Sequence, residues 1–185
     1  MATLNTTNIK HGSSSSNNIV LASDGKVTFP QNTGNILQVV QATSDTKTST
    51  TSTSYTDTPL SAAITPSSTS SKILIRYNMT VAMGSDSNIS YFQIVRGSTA
   101  IGNGNQGSSR IKCHSALRGQ HSDANPHGVT FGEFLDTPST TSATTYKIQY
   151  HVDGNTCYIN RASSDTDSVA YPSPLAVITL MEVAA

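Results

Sequence analysis

Five histidines, two cysteines and eleven acidic residues are the side chains of this 185-residue chain best suited to chemistry. A catalytic site needs a nucleophile with a base in reach, or metal ligands at a fitting spacing. Cys113 and His114 are adjacent, and in a strand neighbouring side chains point to opposite faces, so they do not form a pair. The sequence contains no glycine-flanked serine elbow, HExxH, phosphate loop or paired-cysteine zinc spacing. One cluster remains: His121, Asp123 and His127, in a stretch with Asn125 and Pro126. It could hold a metal ion, for instance on a threefold axis; the plainer expectation is a polar surface loop. Asp153, Asp165 and Asp167 lack EF-hand spacing and read as turn residues. Polysaccharide hydrolysis pairs two carboxylates across a cleft. The only glutamates are Glu133 and Glu182, and both fall on expected strands. The expectation is a protein that is not an enzyme and needs no cofactor.

The elements that would position these residues are strands. Helical spacing of apolar residues is nearly absent. Over Lys72 to Met83, Ile73, Ile75, Tyr77, Met79, Val81 and Met83 alternate with Lys72, Leu74, Arg76, Asn78, Thr80 and Ala82. Period-two alternation is what a half-buried strand requires. Tyr146 to Val152 alternates in the same way, and Asp153-Gly154-Asn155 then leads to Cys157, Tyr158 and Ile159. An Asp-Gly pair between apolar runs predicts an antiparallel hairpin. Leu175 to Val183 is apolar on both faces, which predicts a central strand covered on both sides. Further expected strands are Ile36 to Gln41, Ser61 to Thr65, Ile89 to Arg96, Arg110 to Leu117 and Val129 to Leu135. The Thr- and Ser-rich stretch from Thr43 to Thr58 reads as a linker by composition, but Thr propensity favours an edge strand ending at Pro59. Gly, Pro, Ser and Asn clusters between the strands predict a sandwich or jelly roll.

The first 35 residues differ from the rest. Asn5 to Asn18 is almost wholly polar, and a floppy leader is one reading. However, Asn18 to Ala22, Asp24-Gly25 and Lys26 to Phe29 outline a short hairpin, too small to hold itself together in water. Residues 1–35 are therefore expected to be an arm that docks on a partner, with Ile9, Ile19, Val20, Leu21, Val27 and Phe29 as its anchoring side chains. Residues 36–185 are the expected body.

Composition narrows the function classes. Charged residues make up 12% and the net charge is +0, whereas about a quarter charged is usual. Ser and Thr fill the gap, at roughly three residues in ten. Zero net charge and no basic run argue against nucleic-acid binding. No apolar stretch is long enough for a membrane helix, and Met1 to Lys10 carries no secretory pattern. The chain is expected to fold in a cytosol, with Cys113 and Cys157 unbridged. Of the seven tyrosines, Tyr77, Tyr91, Tyr146 and Tyr150 are expected on strands. Tyr55, Tyr158 and Tyr171 are expected nearer the surface, where they would pack at an interface or, less simply, bind glycan.

The segments Asn8-Ile9-Lys10-His11-Gly12-Ser13, Asn17-Asn18-Ile19-Val20-Leu21 and Asp24-Gly25-Lys26-Val27-Thr28-Phe29-Pro30 carry a resemblance. They resemble the opening of a family of phage-encoded proteins, common in marine and cyanobacterial phages, described as tail-fibre-like or virion structural proteins. Gly34-Asn35-Ile36-Leu37-Gln38-Val39-Val40 and Ile64 to Leu74 add weaker matches, as do Asn155 to Arg161 and Ile178 to Val183. The resemblance implies a virion component, assembled in the host cytoplasm, with a jelly-roll body and a homotrimeric state. Its partners would be other capsid or tail proteins. It carries over no catalytic residue. A short fibre or capsid decoration is the leading expectation, and a tail-fibre module binding host surface glycan is the alternative.

Overall fold

The computed structural model describes residues 6–13, 15, 19–21, 23, 25, 27–28, 34–85, 87–105, 107–119 and 127–185. Among the described residues the chain is all-β. The first strands are β1 (Asn8–Ile9), β2 (Ile19–Leu21), β3 (Val27–Thr28), β4 (Ile36–Ser44), β5 (Thr48–Thr50), β6 (Thr56–Ile64) and β7 (Lys72–Met83). They are followed by β8 (Ile89–Arg96), β9 (Thr99–Ile101), β10 (Ser115–Arg118), β11 (His127–Asp136), β12 (Thr144–Val152), β13 (Cys157–Ile159) and β14 (Ala176–Val183).

The strands form three antiparallel sheets. A small one has the order β1-β2-β3. A five-stranded sheet runs β10-β8-β12-β6, with β9 also on β8. A six-stranded sheet runs β4-β14-β7-β13-β5, with β11 on the other side of β7. The two larger sheets make a β-sandwich. One core row is Ile73, Ile75, Tyr77, Met79, Val81 and Met83 of β7, the face that alternation assigns to the interior. It meets Phe92 and Ile94 of β8 and Tyr146, Ile148, Tyr150 and Val152 of β12 from the opposite sheet. Side chains of this size, fully removed from water, each contribute about 1.5–3 kcal/mol.

Four expectations change. The run through Asp153-Gly154-Asn155 is not a hairpin, because β12 and β13 lie in different sheets. It is an arch that carries the chain across the sandwich. Asn155 takes the left-handed backbone (φ 59°), and Asp153 Oδ1 accepts from the Ile89 backbone N–H at 2.8 Å. Second, β14 is central, between β4 and β7, but only its Ile178, Leu180 and Glu182 face is buried. The Val177, Thr179, Met181 row is half-buried and looks outward. Third, Thr43 to Thr58 is not one strand ending at Pro59. It holds the end of β4, the edge strand β5 and the start of β6, and β6 runs through Pro59. Proline is tolerated there because β6 is an edge strand and its pairing slips between Lys147 and Gln149. Thr58 Oγ1 repairs the slip by donating to the Ile148 carbonyl at 2.8 Å. Fourth, Arg110 to Leu117 yields a strand only from Ser115, so Cys113 and His114 precede it.

The expected hairpin near the start is present as β2 and β3, joined antiparallel, with β1 added to β2. Gly25 (φ 83°) supplies the left-handed backbone between β2 and β3. Asn35 and Gly34 tie the start of the body to its end: Gly34 N–H donates to the Ala184 carbonyl and Ala184 N–H to that of Asn35, both at 2.8 Å.

Candidate functional site

The outward side of β4, β14, β7 and β11 forms a grid, because each strand shows alternate residues to the same face. Strand register aligns these residues into rows. One row is Phe131, Asn78, Val177 and Thr43. The next is Glu133, Arg76, Thr179 and Gln41. The third is Leu135, Leu74, Met181 and Val39, apolar throughout. Phe131 is 73% exposed, and Val39 and Leu135 are also exposed. The middle row is polar and internally satisfied. Arg76 Nε lies 2.8 Å from Glu133 Oε2, and Gln41 Nε2 donates to Thr179 Oγ1 at 3.1 Å. A groove of about 630 Å³ runs between Phe131 and Met181 over this row.

Phe131 points outward on β11 because the inward position beside it, Gly132, has no room for a side chain. The inward residues are Gly128, Thr130, Gly132, Phe134 and Asp136. A Cβ on Gly132 would overlap the Tyr77 ring and approach His114 Nε2 to 2.5 Å. His114 is fixed there by a 2.8 Å bond from its Nδ1 to the Gly102 carbonyl. Gly102 itself has φ 65°, and its Cβ position is filled by the Phe134 ring. Tyr77, Ser115 and Thr130 hydroxyls chain across the gap at 2.9 and 3.0 Å. Asp136 completes the strut between sheets: it accepts from Arg96 Nη1 at 2.9 Å and from the Tyr146 hydroxyl at 2.7 Å.

The outward side of the five-stranded sheet is a different surface. Lys147 and Gln149 donate to Asp57 at 2.8 and 2.7 Å, and their bonds hold its carboxyl below its ordinary range. Gln93 donates to Gln149, and Asn103 to Gln93. His151 stacks on Tyr91 at 4.8 Å and meets the edge of Tyr55 at 4.4 Å. Burial pushes the His151 imidazole down and the Tyr55 phenol up, and that phenol donates to the Lys112 carbonyl. The hydrogen-bonding capacity of this ladder is spent largely within itself, so it serves to fix the surface.

Of the expected site residues, His127 opens β11 and lies exposed on the outward face of the grid. His121 and Asp123 lie outside the described residues, as does Phe29. In the small sheet, Ile9 pairs with Ile19 and Leu21 with Val27, so these four share one face while Val20 takes the other. Ile9 is 44% exposed and Val27 53%. Tyr55, Tyr158 and Tyr171 are half-buried, and Tyr158 carries the Arg161 guanidinium over its ring at 4.9 Å. Both cysteines are free thiols. Burial pushes Cys157 up to about 12 and raises Cys113 as well, which keeps both in the unreactive thiol form. Asp165 is engaged by Lys47 at 2.7 Å, and Asp153 by the arch. The three rows of the grid hold a single carboxylate, Glu133, so they do not build the paired-carboxylate geometry of a glycosidase.

Sequence reasoning did not find this grid. The signal was present in Gly128, Thr130 and Gly132, small residues alternating with Val129, Phe131 and Glu133. Compared with known proteins, the chain matches no family model, and no curated protein matches it.

Proposed function

We propose that this chain is a non-enzymatic structural component of a phage particle, a short fibre or capsid decoration. In this reading residues 1–35 are an arm that anchors it to a neighbouring virion protein. Residues 36–185 are a jelly-roll body that projects outward and assembles as a homotrimer. The observation that carries the reading is the small β1-β2-β3 sheet. Among the described residues its strands are two or three residues long and pair only with one another. Such a sheet needs a surface to rest on. Its Ile9, Ile19, Leu21 and Val27 face offers apolar contact, with Ile9 and Val27 exposed. Extended segments of this kind dock on other proteins by laying strand and side chains into a waiting edge. The antiparallel sandwich, the low charge and the segments that resemble phage virion proteins support the same assignment.

The test uses the full chain. Ile9→Asp with Val27→Asp should leave a soluble, folded protein that no longer co-sediments with assembled particles. Normal incorporation of that variant would remove the anchoring claim.

A further inference from the structure

We propose that the outward rows of β4, β14, β7 and β11 are buried against a second copy of this chain. The proposal rests on the homo-oligomeric reading above and gives that reading a face.

The first reason is charge. The opposite charges at the centre of the grid, Arg76 and Glu133, already cancel each other at 2.8 Å. The chain as a whole has net charge +0. Two copies therefore approach without repulsion, while a partner chosen by charge finds no net charge to read.

The second reason is layout. The rows run across the strands, so each row sits at one height along the strand direction. Any rotation about an axis parallel to the strands keeps that height. A copy related by such an axis lays row on row. The polar row of Glu133, Arg76, Thr179 and Gln41 meets its own kind. Leu135 and Leu74 come opposite Met181 and Val39 of the other copy. A twofold or a threefold axis in this direction preserves the match, which a chemically unrelated surface would meet only by chance.

The third reason is size. The staggered strands β4, β7, β11 and β14 hold 9, 12, 10 and 8 residues, and at about 4.8 Å spacing and about 3.4 Å rise their sheet covers about 640 Å². With side-chain relief, that area comes close to the roughly 800 Å² per partner of a standard stable interface. The composition fits as well: Phe, Met and Arg are the residue types enriched where proteins meet. Both flanking strands, β4 and β11, are sheet edges, and β11 lacks the proline and lysine that usually protect a long edge.

The deciding measurement is the solution mass of the full-length protein by sedimentation over a range of concentrations. A multiple of one chain is expected. Phe131→Asp and Leu135→Asp, both at exposed positions, should weaken association by about tenfold or more. Their circular dichroism and melting should stay those of the parent. Val169→Asp, exposed and outside the rows, should leave the mass unchanged. An oligomer that both face variants leave intact would show that the copies meet elsewhere, and only the face would be lost. A parent chain that is a monomer at every concentration would overturn the face and the homo-oligomeric reading together, leaving the arm to its own test. A monomer in which Phe131→Asp abolishes binding to glycan or to a different protein would overturn the proposal in favour of that occupant.

Discussion

At Gly132 the absence of a side chain lets two rings fill the space between the sheets. Tyr77 and the carbonyl-bound imidazole of His114 occupy the volume a Cβ would need. Both are anchored, Tyr77 by Ser115 and His114 by Gly102, so neither gives way easily. Gly132→Ala is therefore expected to cost about 1–3 kcal/mol, the usual range for overpacking a filled interior. Urea denaturation monitored by tyrosine fluorescence would measure it, and an unchanged midpoint would show that the rings can shift. The same residue explains why Phe131 was not legible in the sequence. Alternation alone says that Val129, Phe131, Glu133 and Leu135 share a face, and apolar content points that face inward. That face is the outward one because the inward room at Gly132 is taken by side chains from β7 and from the segment before β10, neighbours that the local sequence of β11 does not contain.

Individual strands were readable, and their partners were not. The run Lys72 to Met83 became β7 with its expected buried face, since period-two alternation is a local property of the backbone. Which sheet a strand joins depends on residues far away along the chain. The Asp153-Gly154-Asn155 segment shows this. Its residues tolerate left-handed backbone, and a hairpin and an arch draw equally on that tolerance. What chose the arch was the destination of β13, which pairs with β7 and β5 in the opposite sheet. The left-handed position is Asn155, not Gly154. Asn155→Val should cost about 1–2 kcal/mol, because a β-branched side chain is disfavoured there, whereas Asn155→Gly should be close to neutral. Thermal melts of the two variants check this; equal melts would mean that the arch relaxes to another conformation.

Taken as a whole, the molecule has few charges, and the buried carboxylate of Glu182 links its stability to acid. Burial acts to raise the Glu182 carboxyl. Donors outweigh it: the Ser67 hydroxyl at 2.6 Å, its N–H at 2.7 Å and Gln38 at 2.6 Å hold the group at about 2. A carboxyl depressed in the folded state stabilises fully above its unfolded value, and the contribution fades as pH falls towards 2. Its size is about 3 kcal/mol from the shift. Glu182→Gln should lower stability by a similar amount at pH 7 and lose most of its deficit near pH 2. Denaturant titrations at several pH values would test this, and a deficit independent of pH would assign the cost to packing instead. Composition foretold the low charge, but not that one of only two glutamates would be sealed inside.

Strand β14 is made after every other strand described here, yet it lies between β4 and β7. While the ribosome is still at work on residues before it, the six-stranded sheet has a slot at its middle, with two open edges and the lower core uncovered. The body can close only when that last strand arrives. Synthesis order thus delays closure of this sheet until residues 176–183 have emerged, and a chain stalled short of β14 would present itself to chaperones and proteases as unfinished.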